Sequence, residues 1–396
     1  MKKRILTVFV IAISAVQFGY SQEKKDSEFG VKWGGYVKAD YIFDTRHTDA
    51  AREGNYLVYP SPENIVGGKD LNAEANFNGY AIESRLAATI SGPDFFGMKT
   101  GGLIEGHFFG NTNADINGFS LRHAYITLSN DKLEILAGQF WHPTFVTNVS
   151  PGTYGFNAGA PYQAFNRSPQ IRITTKGNVR FIGAIITERD FKTAGAASAR
   201  FSAIPAFHAQ LQAGSDSGFL GGFGVNVKTV DTNPGYNENL TSLSFLAYAK
   251  AQLSDKVTWK MEGLYGGNMT ELLQAGGYAR DNNNDPIANK TLSVWTEFSG
   301  DFTSSLEWGV FGGYSKDFGF GEQVSLLPGL SYSTGVEDSY RISPRLGWKS
   351  GNVKLGVELD YSNAQYGGIN PITGDFVTSG KDVGNFRTAL SLKYGF

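Results

Sequence analysis

Residue types that could carry metal or nucleophilic chemistry are sparse in this sequence of 396 residues. Metal sites need ligands at short, regular spacings. The histidines are scattered without such spacing, at His47, His107, His123, His142 and His208. No GxSxG elbow or comparable nucleophile motif is found. The sequence therefore predicts a protein that is not an enzyme and that uses no metal or cofactor.

Arginine is the residue type whose placement does predict a chemistry. Guanidinium groups stay charged at any relevant pH and bind carboxylate and phosphate groups through two parallel hydrogen bonds. Residues 143–168 contain no Asp or Glu and one charged side chain, Arg167. Just beyond them, alternation with apolar neighbours directs Arg172 and Arg180 to the face opposite the apolar side chains. The same alternation places on that polar face Arg85, Arg341, Arg345 and Arg387. For Arg122 the face is ambiguous.

Acids on neighbouring segments could instead neutralise each of these arginines. The acids available on the same face are Asp40, Glu83, Glu105, Glu262, Glu297, Asp301, Glu358 and Asp360. Most of them lie on segments far from residues 143–168. A basic neighbourhood near that stretch, of the kind that sets anion preference in pores, is therefore predicted.

Alternating segments are the elements that must position these charges. From Asn385 to Phe396, large apolar side chains at every second residue face one side, and Arg387, Ser391 and Lys393 face the other. This period of two predicts a β-strand. A soluble protein turns its apolar face inward, whereas a barrel in lipid turns it outward.

Sixteen such segments recur with turn signals between them, which predicts an all-β protein that forms a closed antiparallel transmembrane β-barrel of about 16 strands. The predicted strands are 31–43, 78–90, 98–108, 118–128, 133–141, 170–176, 179–189, 200–213, 219–229, 242–253, 257–267, 291–302, 306–315, 338–349, 353–363 and 384–396. A barrel of this size encloses an interior too wide for side chains to fill. The sequence therefore predicts a water-filled pore for passive diffusion.

The connections between these segments alternate between short polar turns and long segments, as the two rims of an outer-membrane barrel do. The long segments are about 44–77, 109–117, 142–169, 190–199, 230–241, 268–290, 316–337 and 364–383. A soluble β-sandwich would rarely keep this alternation. We therefore expect one barrel domain over residues 22–396.

The third long connection, from His142 to Ser168, is rich in Gly, Pro, Asn and aromatic residues. A connection of this length is usually functional. It could lie over the outer rim, but we predict that this third outside loop folds into the lumen and narrows it. Tyr154, Phe156 and Tyr162 are then candidate constriction residues beside the arginines.

The first residues predict export. Lys2, Lys3 and Arg4 precede an apolar run from Ile5 to Val16, and small residues follow near Ser21. This is the pattern of a signal peptide over residues 1–21, and the run is too short for a transmembrane helix. Removing it lowers the formal charge from −2 to −5. That balance gives no basic signature for nucleic acid.

The run GQFWHPTFVTNVSPGTYGF, followed by RSPQIRITTKG, resembles the segment around the constriction loop of the DcaP-like outer-membrane porins. The likeness covers about a quarter of the chain, including the aromatic terminal strand. It implies a homotrimer in outer-membrane lipid and small anionic solutes such as dicarboxylates. It also implies that Arg167 and Arg172 contact the solute. The family's founding members carry a coiled-coil segment before the barrel, whereas here Gln22 to Gly30 leads almost directly into the first strand.

Two other functions fit the same barrel. The aromatic third loop would suit a channel for sugars or hydrophobic compounds, and long outside loops would suit an adhesion or binding barrel. Ion conductance separates a channel from an adhesin. The chain also ends in Phe396 on an alternating strand, the kind of signal that the outer-membrane barrel assembly machinery reads. We expect deletion of Phe396 to lower the amount of inserted barrel.

Overall fold

The computed structural model describes residues 29–156, 158–189, 199–233, 236, 238–325 and 335–396. The strands of this part of the chain form one large antiparallel sheet that closes on itself, and the second strand is interrupted between Tyr80 and Arg85. The sixteen strands are β1 (Gly30–Asp44), β2 (Asn76–Tyr80 and Arg85–Phe95), β3 (Met98–His107), β4 (Ser120–Ser129), β5 (Leu133–Trp141), β6 (Arg167–Thr175), β7 (Val179–Ile186), β8 (Ala206–Gly214), β9 (Phe219–Asn233), β10 (Glu238–Ser254), β11 (Val257–Gly267), β12 (Lys290–Asp301), β13 (Leu306–Gly319), β14 (Val336–Ser350), β15 (Val353–Ile369) and β16 (Phe376–Gly395).

The first and last strands close the barrel. β1 pairs with β16, from Tyr36 opposite Gly395 to Asp44 opposite Arg387, and on its other side with both parts of β2. Gly35 and Phe396 exchange backbone hydrogen bonds of 3.2 and 3.1 Å. A closed sheet leaves no edge whose N–H groups would be unpaired in lipid. The predicted closed barrel of sixteen strands is confirmed.

The two faces of each strand carry opposite chemistry. On β8, Phe207 and Leu211 are exposed on the outer surface, whereas His208, Gln210 and Gln212 are at most 5% exposed and face the lumen. Apolar side chains outside and polar side chains inside invert the pattern of a soluble β-protein. The outer surface therefore suits a lipid environment.

Several predicted boundaries were wrong. Two hairpins are longer than predicted. The strands of β9–β10 extend to Asn233 and from Glu238, and those of β15–β16 extend to Ile369 and from Phe376, where loops were predicted. Beyond the part of the wall that would face lipid, apolar and polar side chains no longer alternate, but the backbone groups of the two strands still form hydrogen bonds. The strand predicted from residue 200 begins at Ala206, because a helical turn occupies residues 199–201. The predicted signal peptide, residues 1–21, lies outside the described residues. So does the loop predicted at 190–199, except for residue 199.

Helical structure is minor in the described segments and includes two short 3₁₀ turns, Asn113–Asp115 and Thr270–Leu272. No helix among the described residues has the length and apolar character needed to cross a membrane.

Four outside connections matter for the lumen: L1 (residues 45–75), L2 (108–119), L3 (142–166) and L6 (268–289). Side chains from all four join an apolar cluster with wall residues near the outer ends of the strands, including Tyr56, Phe109, Phe156 and Leu273. A second apolar cluster joins L3 and L6 to β9–β13. Loops, rather than wall side chains alone, therefore fill much of the interior.

Candidate pore constriction

L3 descends through the barrel, as predicted for the third outside loop. Its Asn148 amide donates to Asp216, in the turn between β8 and β9, at 2.9 and 3.1 Å. That turn lies at the end of the barrel opposite the outside loops. The chain then returns to the outer end, where the Phe165 N–H donates to the Leu272 carbonyl of L6 at 3.1 Å. L3 therefore runs through most of the depth of the lumen.

Acids on the wall beneath L3 accept hydrogen bonds from the loop. The Gly152 N–H donates to Glu297 at 2.8 Å, and the Tyr154 and Gly155 N–H groups donate to Glu358 at 2.8 and 3.1 Å. Carboxylates that accept backbone N–H bonds are satisfied by strong, charge-assisted hydrogen bonds. These acids hold the loop and are covered by it, so the prediction that most inward acids lie far from residues 143–168 is wrong for Glu297 and Glu358.

Tyr154 anchors the loop in a recess of the wall. Gly347 and Gly356 lie opposite each other on β14 and β15. A Cβ at Gly347 would lie 1.8 Å from the Tyr154 hydroxyl, and one at Gly356 would lie 2.6 Å from its ring. The hydroxyl also donates to Glu307 at 2.7 Å. Only a glycine pair leaves space for this ring.

Four lysines form a row across the neighbouring wall. Strand register places Lys349 opposite Lys354, Lys354 opposite Lys393, and Lys393 opposite Lys38, so the row crosses β14, β15, β16 and β1. Like charges directly opposite each other destabilise a sheet. Adjacent strands are about 4.8 Å apart, so the row is roughly 14 Å long. We call these residues the lysine row.

A cavity of about 270 Å³ is lined by three lysines of the row and by the tip of L3. The residues that line it include Tyr36, Lys38, Arg85, Tyr154, Lys354 and Lys393. The Lys393 Nζ atom lies 3.8 Å from the centre of the Tyr36 ring, and no carboxylate of the described residues lies within 4 Å of it. The structure thus places at the cavity wall a cation that pairs with no carboxylate of the described residues.

Acids partly neutralise the other cations of this cavity. Lys38 contacts Glu83, lies 3.2 Å from Asp40 and donates to the Tyr154 carbonyl at 2.8 Å. Lys354 contacts Glu307, to which Lys349 also pairs. Among the residues that line the cavity, four are basic (Lys38, Arg85, Lys354 and Lys393) and one is acidic (Glu83).

The arginines predicted for the constriction are divided among several places. Arg85 lines the cavity, with Glu83 at 3.3 Å and Glu105 at 3.9 Å. Arg122 is 1% exposed and pairs with Glu105 at 2.6 Å. These two lie together beside the pore.

Arg167 and Arg172 lie against aromatic rings on β5. Arg167 lies 5.0 Å from the Trp141 ring, and its Nη1 atom is buried without a hydrogen bond. Arg172 lies 5.3 Å from the Phe140 ring and borders a separate cavity of about 360 Å³. The structure does not bring this pair to the lysine row.

The remaining predicted arginines have other partners. Arg345 pairs with Glu297 at 2.9 Å beneath L3, and Arg387 pairs with Asp44 through two bonds of 2.8 Å. Arg180 donates to the Gly177 carbonyl in the β6–β7 turn, and Arg341 contacts loop carbonyls. The predicted arginines do not form one ring.

The predicted aromatic residues hold L3 in place. Phe156 stacks on Phe109 of L2, with ring centres 4.0 Å apart. Tyr162 lies against Gly313, where a Cβ would be 2.4 Å from its ring. With Tyr154, these residues fix the course of the loop.

The lysine row and Tyr36 were missed by sequence reasoning, although alternation alone places each lysine on an inward face. A usable signal was available, because closure of a barrel makes the first and last strands neighbours. That rule brings Lys38 and Lys393 together. Among the described ranges, no group of three His, Asp or Glu side chains could hold a metal ion.

No protein-family model and no curated protein matches this sequence. Solved structures match along nearly all of it. The outer-membrane channel DcaP of Acinetobacter baumannii is 19% identical over 95% of this chain and 99% of its own, with a TM-score of 0.72. The anion-selective porin from Comamonas acidovorans is 11% identical over 93% and 100%, with a TM-score of 0.57.

A third match is OmpF of Salmonella typhi, solved in complex with daunomycin, which is 11% identical over 92% of this chain and 97% of its own, with a TM-score of 0.54. At sequence identities this low, the structural matches show that the fold is shared. The chain therefore has the 16-stranded barrel fold of the outer-membrane porins, which is the fold that the resemblance to the DcaP-like porins implied.

Proposed function

We propose that this protein is a passive outer-membrane porin that prefers small anions, and that the lysine row sets this preference. The observation that carries the proposal is the alignment of Lys38, Lys393, Lys354 and Lys349 across four adjacent strands, of which Lys38, Lys393 and Lys354 line the cavity beside the tip of L3. Rings of basic side chains favour anions in pores.

The arrangement of L3 supports this sign of selectivity. Acids that could attract cations, such as Glu297 and Glu358, accept N–H groups of the loop and are at most 1% exposed. Lys393, by contrast, borders the open cavity. The acids that hold L3 are therefore less accessible to a solute than Lys393 is.

Dicarboxylates are the solutes that suit the row best. Neighbouring lysines on adjacent strands stand about 5 Å apart at the backbone, so two carboxylates of one small molecule can contact two ammonium groups together. Lysine ammonium groups are flexible point charges, so the contact selects for charge and spacing rather than for one shape.

The cellular setting follows from the fold and from the N-terminal pattern. The exposed apolar outer surface suits outer-membrane lipid, and residues 1–21 would direct export. We infer a homotrimer, because an outer-membrane protein of Vibrio cholerae with this fold has been solved in a trimer form. Chemical crosslinking in detergent should then yield a species of three chains.

The test is block of chloride current through single channels by succinate, with acetate as the matched monocarboxylate. Succinate should reduce the current more than acetate does. Lys393→Gln should remove most of this difference. Lys132→Gln, which changes the same charge in the exposed β4–β5 turn, should leave it unchanged. Equal block by the two anions would contradict the proposal.

A further inference from the structure

The L1 loop carries a hairpin that is buried inside the barrel. Its strands are Thr48–Ala51 and Tyr56–Pro60. All residues from Asn55 to Tyr59 are at most 4% exposed. Because both faces of the second strand are buried, the barrel wall and the other loops both cover this hairpin. It therefore lies within the lumen rather than above its rim.

The contacts of the hairpin show what covers it. The Tyr56 ring lies 5.9 and 5.8 Å from Phe156 and Phe165 of L3. On the wall side, Arg387 donates to the Gly54 carbonyl at 2.8 Å, and the Tyr366 hydroxyl donates to the Pro60 carbonyl at 2.6 Å. The hairpin therefore packs between L3 and β15–β16 in the outer half of the lumen.

Arg341 on β14 joins the hairpin to L3. Its guanidinium donates to the Ala160 carbonyl of L3 at 3.2 Å and to the Leu57 carbonyl of L1 at 3.4 Å. It is 2% exposed, its Nε atom has no hydrogen-bond partner, and no carboxylate of the described residues lies within 4 Å. Neutral carbonyls are weaker acceptors for a buried cation than a carboxylate would be.

The base of the hairpin is held separately. The Ser61 N–H donates to the His47 carbonyl at 2.9 Å, and Arg46 pairs with Asp70 at 2.8 Å. The backbone N–H of Asn64, together with that of Asn72 and the Arg46 guanidinium, lowers the pKa of the Asp70 carboxyl. The base of the hairpin is therefore held by contacts that do not involve its buried tip.

We propose that the L1 hairpin, residues 48–60, is a gate in the outer half of the lumen, and that Arg341 is the latch that holds it against L3. This inference rests on the proposed function, since a gate matters only for a barrel that conducts. In the closed state, the apolar cluster of L1, L2, L3 and L6 excludes water from the outer lumen. Release of Arg341 from Leu57 removes the bond that joins the hairpin to the guanidinium it shares with L3, and the wall bonds to Gly54 and Pro60 break in the same opening.

The first test uses the absence of cysteine from the sequence. Leu57→Cys, at a fully buried position, should react slowly with an impermeant maleimide, whereas Asn284→Cys, in the exposed turn of L6, should react fast. Adding Arg341→Gln should speed labelling at position 57 by roughly tenfold, the equivalent of one lost charged hydrogen bond. Labelling at position 284 should not change.

A matched control and a conservative variant separate a latch from general destabilisation. Arg180→Gln removes another inward arginine, one that lies far from L1, and should leave labelling of Leu57→Cys slow. Arg341→Lys keeps the charge but lacks the planar fork that reaches two carbonyls, so it should give an intermediate rate. Slow labelling of Leu57→Cys in the Arg341→Gln barrel would overturn the latch.

The closing experiment excises the hairpin. Residues 48–60 are replaced by two glycines between His47 and Ser61, which already share a hydrogen bond. The control replaces the exposed turn 282–285 of L6 with Asn-Gly. Both barrels are checked for a mobility difference between unboiled and boiled samples, and their single-channel conductance is recorded.

Excision of the hairpin should raise conductance and remove closures, and the L6 control should behave like the unmodified protein. Unchanged conductance after excision, in a folded barrel that conducts, would overturn the gate and leave the proposed function intact. No conductance in either the unmodified or the excised barrel would overturn the proposed function itself.

Discussion

The acids beneath L3 and the lysine row lie in the same lumen, but they have different partners. Glu297 and Glu358 accept N–H groups of the loop, and the loop covers them. Lys393 lies over the Tyr36 ring at the edge of an open cavity. From this comparison we infer that a charged side chain on the lumen face affects permeation most where the rest of the chain does not bind and cover it.

Charge reversal in the lysine row should have the largest effect. Lys354→Glu with Lys393→Glu replaces two positive charges by two negative ones, and a charge pair about 4 Å apart interacts by about 4 kcal/mol at an effective dielectric constant near 20. A fraction of that energy suffices to reverse the preference. The double variant should become cation-selective in reversal-potential measurements.

The matched control for that double variant is Lys132→Glu with Lys176→Glu, at exposed turn positions. It makes the same change in net charge outside the constriction. Its preference should remain that of the unmodified barrel. If the control reversed selectivity as well, bulk charge rather than the lysine row would set the preference.

Filling the glycine recess should have the next largest effect. Gly356→Ala places a methyl group 2.6 Å from the Tyr154 ring, so the tip of L3 must move. Overpacking of this kind costs about 1–3 kcal/mol. We expect a change in single-channel conductance and a lower temperature for the mobility shift on heating.

Gly312→Ala is the control for the recess, because a Cβ at this strand glycine meets no atom within 4 Å. It should leave conductance and heat stability close to those of the unmodified protein. Equal effects of the two alanines would show that Tyr154 does not hold the loop.

The smallest effect is expected beneath L3. Glu358→Gln keeps the shape of the side chain but removes its charge, and its one amide oxygen can accept from only one of the Tyr154 and Gly155 N–H groups. The reversal potential should change less than in Lys393→Gln, although current noise should increase as the loop loosens. A larger shift for Glu358→Gln than for Lys393→Gln would break the comparison.

The strands could be predicted because lipid imposes a simple rule on them. All sixteen predicted segments overlap an observed strand, since outward apolar and inward polar side chains alternate wherever the wall meets lipid. The L1 hairpin follows no such rule. Tyr56 to Tyr59 are all buried, so both faces of this strand are apolar or aromatic and the period of two disappears.

The site was harder to predict because it depends on register. Alternation showed that Arg387 and Lys393 face inward, but it did not show that Arg387 pairs with Asp44 while Lys393 stays unpaired among the described residues. Both facts follow from the pairing of β1 with β16, the first and last strands of the barrel. Similarly, Arg341 and Arg345 have the predicted orientation, and only the course of L3 shows what they contact.

The reversal potential of the unmodified barrel across a potassium chloride gradient tests the central claim most directly. Positive charge at the constriction predicts anion selectivity at low salt. That selectivity should decline at high salt, because the Debye length falls from about 10 Å at 0.1 M to about 3 Å at 1 M. Cation selectivity at 0.1 M would contradict the account.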